Sequence, residues 1–165
     1  MPFRLALLAF IAFCLSTVVV VGAEDSAPSP EVNVAIDFVR KTRLNRNFQA
    51  IATHVAQATQ TMAMLAMEHP VKIVPAFRTN LDTVTAKYQD QWDMMLAESY
   101  MEVFTADELR SLTDEQQQSP YFAKLKSEMG TVGALMQQRA EPLLAKAVAE
   151  TLAHTVEKLG LGATK

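Results

Sequence analysis

The chain has 165 residues, with 15 Lys and Arg against 18 Asp and Glu, a net charge of −3 and a single cysteine. That length suits one domain. An acidic balance without a dense basic cluster argues against nucleic acid or an anionic bilayer as the main partner.

The first element is an export signal. Met1-Pro2-Phe3-Arg4 precedes an uncharged apolar run from Leu5 to Val21, then Gly22-Ala23 and the acidic pair Glu24-Asp25. Val21 and Ala23 suit the −3 and −1 positions of a signal peptidase, which puts the cut between Ala23 and Glu24 and makes residues 1–23 a signal peptide. The alternative is an uncleaved inner-membrane anchor, because the run sits at the short edge of the roughly 17–25 residues that cross a bilayer. Arg4 on the inside and Glu24-Asp25 beyond the run give the same sidedness in both cases. Either way the body of the chain lies outside the cytoplasm, and a bacterial periplasm is the simplest address. Cleavage removes Arg4, taking the net charge from −3 to −4, and removes Cys14, leaving no disulfide or thiol chemistry.

Residues 24–30, which include Ser26-Ala27-Pro28-Ser29-Pro30, read as a linker. Residues 31–165 read as a helical domain. The first helix is expected over about 31–43, with Val32, Ile36 and Val39 on one face. A second is expected from about Asn47 to Met67, carrying Phe48, Ile51, Val55, Met62 and Leu65 and stopped by Pro70. A third spans about 75–103, where Phe77, Leu81, Val84, Tyr88, Trp92 and Met95 recur three and four apart. That stripe marks a central core helix.

Thr105-Ala106-Asp107-Glu108 is a capping box: the Thr105 hydroxyl suits the Glu108 amide, and the Glu108 carboxylate suits the Thr105 amide. Phe104 suits a hydrophobic staple onto Leu109 or its neighbour. A short helix to about Gln118 follows. Ser119-Pro120 then opens a last, long helix with proline at its first position, carrying Phe122, Leu125, Met129, Val132, Met136, Leu143, Val148, Leu152 and Val156. Gly130, Gly133 and Pro142 are candidate kinks or breaks in it, and Gly160 and Gly162 end it. The expected fold is an all-α, single-domain bundle of about five helices with a long C-terminal helix.

Phe104-Thr105-Ala106-Asp107-Glu108-Leu109 resembles the F-T-x-x-E-L motif of the DUF2059 family of exported bacterial proteins. Trp92 and Tyr100 upstream and Ser119-Pro120 before a long Met-rich helix repeat the family's layout, so the resemblance covers about 75–159. The chain is a divergent member on this reading. Glu115-Gln116-Gln117-Gln118 stands where the family has an aromatic pair, with about one residue extra, and Phe122 stands where it has a glycine. The resemblance implies an exported helical fold of unknown function and no established active site.

His54, His69 and His154 are isolated, without metal-ligand spacing. Met62, Met64, Met67 and His69 form the one cluster with metal potential, since thioethers bind copper(I). Met64 and Met67 share a helix face while Met62 points away from them, so core packing is the favoured account of the methionines. Asp107-Glu108 and Asp114-Glu115 are adjacent pairs that point about 100° apart on a helix, which suits no acid–base pair. Arg40, Lys41, Arg43 and Arg46 form a basic cluster, read first as a solvated helix end and second as a contact for an anionic partner. No catalytic motif and no cofactor-binding motif is present. The expected function is therefore a non-enzymatic binding or protein-interaction module in the bacterial envelope, with an unidentified protein or envelope partner and an apolar groove between its helices. The alternative is a periplasmic metal or small-molecule binder using the methionines.

Overall fold

The structure, a computed structural model, describes residues 29–161. The Ala23–Glu24 cut and Gly162 lie outside the described residues. Among the described residues, six α-helices follow one another: α1 (Pro30–Lys41), α2 (Phe48–Gln57), α3 (Gln60–Glu68), α4 (Ile73–Met101), α5 (Ala106–Glu115) and α6 (Phe122–Lys158). Short 3-10 turns over Leu44–Asn47 and Gln116–Gln118 join them. The all-α fold and the long C-terminal helix match the sequence reading, with six helices in place of about five. Among the described residues, no helix is long and apolar enough to cross a membrane.

The long helices α4 and α6 form the spine, packed along each other, and α1 lies across α4 and α5. Phe77, Leu81, Val84, Tyr88 and Trp92 are all buried, as their spacing predicts, but Leu96 rather than Met95 completes the stripe. Helix α1 starts earlier than expected: Ser29 caps it by accepting from the Val32 amide at 3.4 Å, and Pro30 occupies the first turn. Both residues had read as linker. Its buried face is Ala35, Phe38 and Val39, so Val32 and Ile36 are only partly covered.

The single helix expected over 47–67 is two helices. Thr59 adopts an extended backbone, its hydroxyl donates to the Ala56 carbonyl at 2.7 Å, and the same oxygen accepts from the Met62 amide at 3.2 Å. A threonine that caps one helix while closing the last turn of another competes with continuous helix. Helix α4 begins at Ile73, which leaves Pro75 in the first turn where its missing N–H costs nothing. Helix α6 begins at Phe122, two residues after Pro120, because the Ser119 carbonyl and hydroxyl first close a turn onto Phe122 and Tyr121. It then runs unbroken past Gly130, Gly133 and Pro142. Gly160 ends it with φ +69: its own amide bonds to the Glu157 carbonyl at 2.9 Å and the Leu161 amide to Val156 at 3.0 Å, the paired bonds of a Schellman cap.

Candidate functional site

Among the described residues, an apolar cavity of about 390 Å³, open to solvent at the exposed Met129 and Gly133, lies between α2, α4 and α6. One face of α6 makes its long wall through Met129, Val132, Gly133, Met136 and Ala140. Spacings of three and four put these residues on one side of the helix. Gly133 and Ala140 carry almost no side chain there, and a Cβ added at Gly133 would meet no atom within 4 Å. Trp92, Leu96 and Tyr100 face them from α4, one helical turn apart, and Ile51 and Leu44 close the side. The space exists because small residues on α6 stand opposite a ring-bearing face of α4.

The indole of Trp92 is fixed in place. It is 1 % exposed and stacks on Phe48 with ring centres 4.6 Å apart, a contact that adds about 0.5–1.5 kcal/mol to burial alone. Among the described residues, its Nε1–H is the one buried side-chain polar atom without a hydrogen-bond partner. A donor left so costs about 1–3 kcal/mol. The neighbouring buried polar groups are satisfied: Asp93 accepts from Arg40 Nε at 2.6 Å, Gln89 Nε2 at 2.7 Å and Asn45 Nδ2 at 2.8 Å. Buried Ser99, Thr151 and Thr155 each donate to the carbonyl four residues back at 2.7 Å. Burial pushes the Tyr100 phenol up from its ordinary pKa, so this wall of the cavity stays neutral. No charged side chain lines the space; Asn47 and Gln137 supply its polar edge.

The motif residues Phe104, Thr105, Glu108 and Leu109 come together as the capping box requires. Thr105 Oγ1 accepts from the Glu108 amide at 3.3 Å and Glu108 Oε2 accepts from the Thr105 amide at 2.9 Å. Phe104 and Leu109 are both buried in the common core. The structure adds a partner the motif does not announce. Lys124 on α6 donates to both Glu108 oxygens, at 2.9 and 2.8 Å, and stands 4.7 Å from the centre of the Phe104 ring. Glu108 is held below the usual carboxylate range, first by Lys124 and then by the Thr105 amide. This motif is a structural clamp between α5 and α6.

Burial divides the methionine cluster. Met62 is buried in the core, whereas Met64 and Met67 are 53 % and 84 % exposed, so packing explains only Met62. His69 caps α3, and its Nε2 lies 4.0 Å from Glu68. Among the described residues, no three His, Cys, Asp or Glu side chains are grouped to hold a metal ion. In the basic cluster, Arg40 is engaged by Asp93 and Asp90, Lys41 by Asp37 at 3.3 Å, and Arg43 takes a left-handed backbone (φ 62) after α1.

Sequence reasoning did not single out the cavity. Its signal was the coincidence on α6 of two small residues with two methionines at helical spacing, Met129-Gly133-Met136-Ala140, opposite the only tryptophan of the chain. In comparisons with known proteins, no family model, no curated protein and no solved structure matches this chain.

Proposed function

We propose that this chain is an exported, non-enzymatic helical protein of the bacterial envelope, a divergent relative of the DUF2059 proteins, that works by binding an apolar partner between α2, α4 and α6. The observation that carries the binding role is the cavity with Trp92 in its wall and an uncharged lining. Ligand pockets are mostly apolar with few polar groups and run from roughly 300 to 1,000 Å³, so about 390 Å³ suits a small ligand. The absence of a carboxylate, histidine or lysine from the lining speaks for binding rather than catalysis. The export reading rests on Arg4, the apolar run to Val21 and Ala23. The family reading rests on Phe104, Thr105, Glu108 and Leu109, whose closed cap gives those residue types a physical role.

The test is titration of the purified protein with 1-aminoanthracene, an uncharged dye that brightens in apolar surroundings. Saturable binding of one dye per chain is expected. Gly133→Phe fills the cavity and abolishes it, while Gly130→Phe, outside the lining, leaves it intact. Dye binding that Gly133→Phe leaves unchanged, with both variants folded by circular dichroism, contradicts the proposal.

A further inference from the structure

Resting on the binding role just proposed, we infer that the ligand is a long-chain carboxylic acid whose tail lies between α2, α4 and α6 and whose carboxylate meets Arg43 in an adjoining cavity. That second cavity, of about 530 Å³, lies between the end of α1, α5 and the start of α6. Buried Phe38 and Leu112 and half-buried Phe122 and Leu125 give it apolar walls, and Lys41 and Arg43 bring two cations. No acidic residue lines it or its neighbour, in a chain whose net charge is −3.

Three observations join the two spaces into one site. The first is α6 itself: Phe122, Leu125, Met129, Val132, Met136 and Ala140 recur three and four apart, so one face of the helix walls both. At a rise of about 1.5 Å per residue, the stretch from Leu125 to Met136 is about 16 Å long, close to the length of a dodecyl chain. Leu44 lines both cavities. The second is the state of the cations. Arg40 is held by Asp93 and Asp90 and Lys41 by Asp37, whereas Arg43 is exposed and, among the described residues, has no ion pair or side-chain hydrogen bond. The third is the backbone. Arg43 (φ 62) and Gln116 (φ 53) are the two non-glycine residues with positive φ among the described residues, and both line the second cavity. Backbone of that kind costs energy and gathers at ligand sites.

The test is displacement of 1-aminoanthracene from the purified protein at neutral pH by dodecanoate, dodecanol and dodecyltrimethylammonium. Dodecanol is the most apolar of the three and binds best if the tail alone is read. Dodecanoate is expected to bind more tightly than dodecanol, by roughly threefold or more, and added salt narrows the gap. Arg43→Gln weakens dodecanoate roughly three- to tenfold more than it weakens dodecanol. Gln117→Glu, which sets a carboxylate at an exposed position of the second cavity, acts in the same direction. Both variants are checked for fold by circular dichroism. Dodecanol binding as tightly as dodecanoate, an equal effect of Arg43→Gln on both, or preference for the ammonium overturns the inference. In each of those cases displacement that Gly133→Phe blocks leaves the binding role standing. Dodecanoate binding that Gly133→Phe leaves unchanged overturns both. If dodecanoate does not displace the dye, and the protein instead sediments with phosphatidylglycerol vesicles in a manner that Arg43→Gln abolishes, the cation serves a bilayer and the inference falls.

Discussion

Glu108 is the residue that does most for its size. One carboxylate closes the N-terminus of α5, accepts from Lys124 on α6 and holds that ammonium near the Phe104 ring. The cap was legible in the sequence because it is local, a threonine and a glutamate three residues apart. Lys124, 16 residues further on, was not, because only the packing of α6 brings it there. Thr105→Ala is expected to lower the unfolding free energy by about 1 kcal/mol, read from urea denaturation. Glu150 on α6 is drawn down to about 2, first by Lys87 and then by the Tyr88 hydroxyl. A carboxylate with a depressed folded-state pKa contributes stability that is present above its unfolded value and lost as pH falls through the folded one. The melting temperature is therefore expected to hold level at neutral pH and fall below about pH 4.5 towards pH 2, with a shallower fall in Glu150→Gln. Arg40 is a residue whose role the sequence hid. It looked like part of a basic patch, yet it neutralises Asp93, whose side chain is 3 % exposed. Arg40→Met should cost about 1–3 kcal/mol by leaving that buried carboxylate short of its charged donor.

At the scale of the element, periodicity located the helices and side-chain hydrogen bonds decided where they stop. The apolar stripe of α4 was readable because burial selects residues three and four apart. The break between α2 and α3 was not, because apolar residues run through it and only Thr59 turns the chain. The two glycines within α6 behave differently from a kink: the helix continues, and neither has an atom within 4 Å of an added Cβ. Gly130→Ala and Gly133→Ala are each expected to stabilise the protein by about 0.5–1 kcal/mol through helix propensity. The methionines divide by exposure in the same way. Under mild peroxide, Met67, Met64 and Met129 should oxidise before Met62 and Met136, as peptide mass analysis would show. Equal rates at all five would contradict the burial pattern.

For the whole molecule, the core was largely written in the sequence and the cavity was not. Burial leaves a repeating apolar pattern along one helix, whereas a cavity is a relation between faces of three helices that no single segment displays. Trp92 shows the difference: its spacing marks it as core, which it is, but its unpartnered N–H becomes visible only when every neighbouring donor and acceptor is placed. The same holds for α6, whose face is continuous with the core at Val132 and Ala140 yet leaves Met129 57 % exposed at the rim. The central claim is that this space, and not the exposed Met64–Met67 face of α3, is where the protein binds. The most direct test is the methyl spectrum of methionine-labelled protein titrated with 2-nonanone. Saturable shifts at Met129 and Met136, with Met64 and Met67 unmoved, are the predicted result; shifts at Met64 and Met67 with Met129 and Met136 unmoved would contradict it.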